Sequence, residues 1–147
     1  MFLTGEAGTG KSHLIKHFQT LMPEISITAS TGTAAFLIGG QTLHSWAGLG
    51  IALNPSVESI LRFLRRRKSN AIARWKACKC LVIDEISMLS AATFELVNKL
   101  AQTIRGNKTP FGGLQVILCG DFYQLPRLKL PSKSASSQPA EHRPVFA

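Results

Sequence analysis

A chain of 147 residues has the length of one ordinary domain, and its 45% hydrophobic and 17% charged residues are typical of a folded protein, not a disordered one. No apolar run approaches the roughly 20 residues that cross a bilayer, and no secretion signal opens the chain, so we expect an intracellular protein. The net charge of +9 favours an anionic partner but does not determine the fold.

The first predicted unit is a strand, a glycine-rich loop and a helix. The residues "MFLTG" form a short β-prone run, and "KSHLIKHFQTLM" follows with apolar residues at helical spacing before a proline. The residues that we expect this helix to bury are Leu14, Ile15, Phe18 and Leu21 or Met22.

The loop of this unit matches the phosphate-binding pattern G-x-x-x-x-G-K-[ST] in full. In such a loop the backbone N–H groups point at an anion, and the start of the helix adds its positive end. Lys11 would place a charge at the β and γ phosphates of ATP, and Ser12 would offer a hydroxyl to Mg²⁺. The predicted nucleotide-binding residues are Gly5, Glu6, Ala7, Gly8, Thr9, Gly10, Lys11, Ser12 and His13.

Further along, "ISITAST" predicts a second strand, "TAAFLIGG" a short helix closed by glycines, and "VESILRFLRRR" a helix with Ile60, Leu61 and Leu64 inward. A basic tract begins within this helix at Arg62 and runs to Lys79, with no acidic residue between them. Its members are Arg62, Arg65, Arg66, Arg67, Lys68, Arg74, Lys76 and Lys79. Such a tract can follow a phosphate backbone, and charge alone favours the solvated face of a connecting helix and turn.

The run "KCLVIDE" lacks polar alternation, as expected of a strand that is buried on both faces of a parallel sheet. Asp84 and Glu85 would end this strand, at the edge where α/β sheets bind ligands. Asp84 would hold the magnesium, and Glu85 would orient and deprotonate the water that attacks the γ phosphate. Acids at a strand end can also simply cap the next helix.

The last predicted elements are a helix "AATFELVNKLAQTIR", capped by Ser90 and ended by Gly106, and a buried strand "LQVILCGD". This strand would bring Gly120, Asp121 and Gln124 to the same edge, where Gln124 could sense the γ phosphate. Cys78, Cys80 and Cys119 match neither a disulfide framework nor a zinc-ligand spacing, so we expect reduced, structural thiols. The alternation of strands and helices predicts a doubly wound α/β layer.

Four segments, in order, resemble the motifs of a known family. "GEAGTGKS", "ITASTGTAAFLIGGQTLHSWAG", "LVIDEISML" and "VILCGDFYQLP" are similar to motifs I, Ia, II and III of the Pif-type DNA helicases of superfamily one. The resemblance implies a RecA-like P-loop NTPase domain, with a mostly parallel sheet and helices on both faces. It also implies ATP hydrolysis coupled to 5′-to-3′ DNA unwinding, with ATP and Mg²⁺ as cofactors.

Carried over residue by residue, the resemblance assigns catalysis to Lys11, Asp84, Glu85 and Gln124, and the metal to Ser12 and Asp84. It places single-stranded DNA against Ser30, Thr31, Gly32, His44 and Ser45. Trp46 could stack on a base, although an aromatic residue in such a stretch is more often part of a core. Roles in DNA repair, recombination and telomere maintenance, and a nuclear or mitochondrial location in a eukaryote, come from the family alone.

The chain departs from the family pattern at both ends. It begins inside the first strand, so we expect residues 1–126 to be an N-terminally truncated motor domain and residues 127–147 an irregular tail rich in Pro and Ser. We also expect the family's second motor domain, with its arginine fingers, to be absent. Two alternatives to a working helicase therefore stay open: a module that binds nucleotide or single-stranded DNA without turnover, and a self-associating ATPase that receives an arginine in trans from the segment Arg65 to Lys68.

Overall fold

The computed structural model describes residues 1–5, 9–22, 24–50 and 56–121, which form a parallel sheet covered by helices. The strands are β1 (Phe2–Thr4), β2 (Ile25–Ala29), β3 (Gln41–Thr42), β4 (Cys80–Asp84) and β5 (Gln115–Gly120). The α-helices are α1 (Lys11–Leu21), α2 (Gly32–Leu37), α3 (Leu43–Ala47), α4 (Val57–Arg67), α5 (Ser69–Ala77) and α6 (Ala91–Arg105). Short 3₁₀ turns span Ile86–Met88 and Pro110–Gly113.

The sheet has the strand order β1-β5-β4-β2-β3, and every pairing between the described strands is parallel. All five residues of the central strand β4 are buried, as its unbroken apolar sequence predicts. The register aligns Ala29 of β2 with Asp84 of β4, and Thr4 of β1 with Gly120 of β5. The carboxyl ends of these strands therefore meet at one edge of the sheet.

Alternate residues of β4 face two separate cores, which confirms helices on both faces of the sheet. Leu81 and Ile83 pack in a cluster with residues of α3, α4, α5 and α6. Cys80 and Val82 pack on the opposite face, against Ile15 of α1 and residues of α2. A strand whose two faces are both covered needs no polar residues, which accounts for the composition of "CLVID".

Helix α6 forms as the sequence predicts. The hydroxyl of Ser90 accepts a hydrogen bond from the Thr93 amide at 3.1 Å, and Gly106 ends the helix in the left-handed conformation. Val97, Leu100 and Ala101 are fully buried along one face.

The predicted burial of α1 is largely wrong. Ile15 is fully buried, but Leu14 and Met22 are each 37% exposed and Leu21 is 64% exposed. The helical spacing identified the correct face of α1. Of the described residues on that face, only the central Ile15 is fully buried against the sheet. Strand β3 and helices α3 and α5 were not predicted, since each is short and carries no strong hydrophobic period.

Within the described part of the chain, no helix has the length and apolarity needed to span a bilayer. The three cysteines are free thiols and lie buried in the two cores. Burial raises the pKa of Cys80, and it raises the pKa of Cys119 to about 12, with a further contribution from the nearby charge of Asp84.

We expect all three thiols of the native chain to resist modification at pH 8, because each is buried and out of reach of reagent. Titration with a chromogenic disulfide in native buffer should release no more than a trace of thiolate, and the same titration in denaturant should count the three cysteines. Rapid labelling of one thiol in native buffer would show that its core opens.

Candidate active site

Two glycines shape the described part of the glycine-rich loop. Gly10 precedes α1 with a φ of 89°, a left-handed conformation that glycine adopts without strain. A β-carbon at Gly5 would lie 2.7 Å from the hydroxyl of Thr9. The ammonium of Lys11 donates to the carbonyl of Gly5 and so links the start of α1 to the end of β1.

Asp84 ends β4 and is only 7% exposed. Burial raises the pKa of its carboxyl, while a backbone hydrogen bond from Glu85 and the charge of Lys11 lower it less strongly. Lys11 at the start of α1 and Asp84 at the end of β4 lie at the same carboxyl edge of the sheet, because β1 and β4 both pair in parallel with β5. Sequence reasoning placed both groups here, and the structure brings them together.

Glu85 does not continue β4, although the sequence predicted both acids at the strand end. Its φ of 54° and ψ of 47° are left-handed, which is uncommon for a residue with a side chain, and they turn the chain into the 3₁₀ segment that follows. Asp84 therefore lies in the sheet, whereas Glu85 lies on a turn beyond it. The two adjacent acids occupy different environments, as their different predicted roles require.

Ser30 joins this acidic turn to the end of β2. Its amide donates to the Asp84 carbonyl at 3.1 Å, and its hydroxyl donates to the Glu85 carbonyl at 2.7 Å. Ser30 was predicted to contact DNA, but the described contacts of its hydroxyl lie with the turn. No local sequence pattern indicates this link, because the two residues are 55 positions apart.

The other predicted DNA residues lie at the same edge. Thr31 caps α2 by accepting from the Ala34 amide at 3.2 Å, and Gly32 begins that helix. His44 and Ser45 are exposed on α3, which follows β3 directly. Because β3 pairs with β2 through Ala29 and Thr42, the starts of α2 and α3 are neighbours. The structure thus brings the two predicted DNA segments together.

Trp46 lies in the core, with 1% of its surface exposed, so it does not present its face to a base. Its ring packs edge-on against Trp75, with centroids 4.4 Å apart. The basic tract is also divided. Arg74 turns toward α3, and Lys79 pairs with Glu24 at 2.6 Å, whereas Arg62, Arg65, Arg66 and Arg67 are exposed along α4.

Four of the predicted site residues lie outside the described residues: Glu6, Ala7, Gly8 and Gln124. The predicted tail, residues 127–147, lies outside them as well. The described edge still carries Lys11 and Ser12 at the start of α1. It also carries Asp84 at the end of β4 and Glu85 on the turn that follows. A parallel sheet with these groups at its carboxyl edge defines a P-loop NTPase domain of the RecA-like type.

Comparison with known proteins identifies the family within this class. Residues 1–140 match the family described as "PIF1-like helicase", so the chain belongs to that family. It is 47% identical to the ATP-dependent DNA helicase PIF1 of Candida albicans over 131 residues, and 46% identical to that of Xenopus laevis over 140 residues. These matches cover 86% and 94% of the chain but only 14% and 21% of the two relatives.

Solved structures show the same likeness. The crystal structure of the Pif1 helicase from Candida albicans matches 84% of the chain and 29% of its own length, with a TM-score of 0.74 and 43% identity. A Bacteroides Pif1 bound to ssDNA matches 82% of the chain and 28% of its own length, with a TM-score of 0.69 and 31% identity. The RecA-like fold predicted from the motifs is therefore confirmed.

We expect Asp84→Asn to raise the melting temperature of the chain at pH 7 while impairing nucleotide chemistry. A carboxyl whose pKa is raised by folding destabilises the native state wherever it is ionised, and this cost is lost as pH falls below its unfolded pKa of about 3.9. Thermal unfolding in metal-free buffer should show a gain at pH 7 that shrinks toward about pH 4. An equal gain at both pH values would mean that desolvation of the charge is not its cause.

Proposed function

We propose that this chain is the ATP-binding motor domain of a Pif-type DNA helicase, which binds and hydrolyses ATP and holds single-stranded DNA at the same edge of its sheet. The observation that supports this best is the convergence of Lys11, Asp84 and Ser30 at that edge, where Ser30 bonds the turn that carries Glu85. Related structures include a Bacteroides Pif1 in complex with ADP-AlF4 and another bound to ssDNA.

The residues present suit a magnesium ion. A hydroxyl at Ser12 and a carboxylate at Asp84 are hard oxygen ligands, and Mg²⁺ is commonly held by one or two such groups together with substrate phosphates. The ion would neutralise charge that develops on the phosphate oxygens. The ammonium of Lys11 would bind the β and γ phosphates in place of the Gly5 carbonyl that it now contacts.

Glu85 would act as the general base of hydrolysis. Its position on a turn, one residue beyond the buried Asp84, lets its carboxylate accept a proton from the water that attacks the γ phosphorus. The water oxygen then bonds to phosphorus as the bond to the bridging oxygen of ADP breaks. Gln124 would contact the γ phosphate, and DNA phosphates would lie against Ser30, Thr31, Gly32, His44 and Ser45.

The parent activity implied by the family is 5′-to-3′ unwinding, with roles in DNA repair, recombination and telomere maintenance. Strand separation needs two lobes that close and open around ATP, and an arginine that stabilises transition-state charge can be worth about a thousandfold or more in rate. ATP binding, DNA binding and turnover of the purified chain are therefore measured separately. A binding module without turnover is the second candidate function.

We expect Lys11→Ala to weaken ATP binding by about tenfold or more, the cost of losing one charged hydrogen-bond donor to phosphate. Calorimetric titration with a non-hydrolysable ATP analogue and Mg²⁺ measures this, with Lys16→Ala on the exposed side of the same helix as the control. Far-ultraviolet circular dichroism should be unchanged in both variants. Equal affinity in the Lys11 variant would remove the proposed nucleotide site.

ATP hydrolysis by the purified chain, with and without single-stranded DNA, separates the candidate functions. A slow, Lys11-dependent rate that DNA increases supports the motor domain, and no turnover despite tight binding supports the binding module. A rate per molecule that rises with protein concentration would indicate that a second copy supplies an arginine in trans. A rate per molecule that is independent of concentration would exclude that self-association.

A groove of about 360 Å³ on α4 is the part of the basic tract best suited to a phosphate backbone. Glu58, Leu61, Arg62, Arg65 and Arg66 line it. Arg67 is equally exposed but is not one of these lining residues. The groove thus distinguishes arginines that the sequence presents as equivalent.

We expect the double variant Arg65→Gln, Arg66→Gln to bind single-stranded DNA more weakly and to lower the slope of log affinity against log salt by up to about 1.4, or about 0.7 for each lost phosphate contact. Fluorescence anisotropy of a labelled oligonucleotide across a salt series measures both quantities. Arg67→Gln is the control and should change the slope little. An unchanged slope in the double variant would make the groove a solvated face.

A further inference from the structure

The last turn of α3 is held by the side chains of two adjacent residues of α5. A guanidinium nitrogen of Arg74, Nη2, donates to the carbonyl of Trp46 and to that of Ser45 at 3.4 Å. The indole N–H of Trp75 donates to the next carbonyl, that of Ala47, at 3.2 Å. Three consecutive carbonyls at the end of α3 therefore accept hydrogen bonds from α5. The Ser45 carbonyl also accepts from the Gly48 amide at 3.3 Å, whereas the last carbonyls of a helix in general lack partners within it.

Ring packing reinforces this cap. The guanidinium carbon of Arg74 lies 5.7 Å from the centre of the Trp46 ring, which packs edge-on against Trp75. Both tryptophans are almost fully buried. Helix α3 ends at Gly48, where a β-carbon would lie 2.5 Å from a methyl group of Leu64 on α4. Close packing there leaves α3 little room to shift toward α4.

Helix α3 cannot fix its own orientation. It has five residues, far fewer than the roughly 12 that an isolated helix needs to be even marginally stable. Thr42 caps its first turn by accepting from the Ser45 amide at 3.2 Å. Among the described residues, the last turn of α3 is held against the fold by packing and by the hydrogen bonds from α5. A cation at the carboxyl end of a helix also interacts favourably with its dipole.

We propose that Arg74 and Trp75 position α3 for single-stranded DNA, so that Arg74 acts through the α3 backbone and does not itself bind phosphate. This inference rests on the proposed function, in which His44 and Ser45 contact DNA. Because α3 is held before DNA arrives, binding avoids the entropy cost of ordering it. Arg74 belongs to the basic tract in the sequence, but its Nη2 donates to backbone carbonyls. Desolvation lowers the pKa of its guanidinium, in agreement with this inward position.

The test compares Arg74→Met with Lys76→Met. Lys76 lies exposed on the same helix, so the control removes the same charge without removing the cap. We expect Arg74→Met to bind a labelled oligothymidine about tenfold more weakly, as loss of a charged contact that preorganises the site predicts, with no change in the salt slope. Lys76→Met should stay close to the unmodified chain in affinity. A slope lowered by about 0.7 in the Arg74 variant alone would show that Arg74 contacts a phosphate, and would overturn the proposal.

Tryptophan fluorescence provides a second readout that does not depend on DNA. The chain has two tryptophans, Trp46 and Trp75, and both lie in this contact. We expect acrylamide to quench them more strongly in Arg74→Met than in Lys76→Met, and Arg74→Lys to be intermediate because it keeps the charge. Unchanged quenching in the Arg74 variant would overturn the proposal whether or not DNA binds.

The two readouts separate this proposal from the proposed function. If the unmodified chain fails to bind single-stranded DNA, the DNA assignment is wrong, and the quenching result still decides whether Arg74 holds α3. If the chain binds DNA and quenching rises in Arg74→Met without loss of affinity, α3 is held by Arg74 but does not govern binding, and the positioning role is wrong. Melting curves and circular dichroism identify a variant that fails to fold, in which case Arg74→Lys decides.

Discussion

The hydrogen bonds between the ends of β2 and β4 are the constraint on which the candidate site depends. Ser30 donates from its amide to Asp84 and from its hydroxyl to Glu85, one residue after β2 ends. A backbone amide and a hydroxyl are short, stiff donors, so the two strand ends cannot separate without breaking both bonds. The turn that carries Glu85 and the segment predicted to meet DNA are consequently parts of one hydrogen-bonded unit.

This unit includes two unfavourable features. Asp84 is a buried carboxylate whose pKa is raised by desolvation, and Glu85 adopts a left-handed conformation that costs a residue with a side chain roughly 1–2 kcal/mol. Neither feature favours folding. An amide or an apolar residue at position 84 would cost less free energy to bury, and the left-handed conformation of Glu85 adds a backbone cost. Both become useful if the edge binds a cation and positions a water molecule. The stabilisation that compensates for them comes from the buried strand β4 and the cores on its two faces.

The sequence predicts those parts of the fold and site in which one local pattern dominates. Unbroken apolar runs located β4 and β5, and Ser90 and Gly106 located both ends of α6. The glycine-rich motif located Lys11 because its chemistry is contained within eight consecutive residues. The short elements β3, α3 and α5 were missed because their stability comes from neighbours that are distant in the chain, which no local period records. The hydrogen bond between Ser30 and Glu85 depends on the strand order, which local sequence patterns do not predict.

The basic tract shows why charge alone cannot assign function to a residue. Its members look equivalent in the sequence, yet Lys79 pairs with Glu24, Arg74 caps α3, and Arg62, Arg65 and Arg66 line an exposed groove. An exposed guanidinium attracts nucleic acid, and salt screens that attraction. A guanidinium that donates to backbone carbonyls stabilises the fold instead. Arg105 of α6 makes the same kind of contact, because it donates to the carbonyls of Trp75 and Cys78 at the end of α5. Arg105 of α6 thus caps the end of α5, and Arg74 of α5 caps the end of α3, so this support runs from α6 through α5 to a five-residue helix that is too short to hold its position alone.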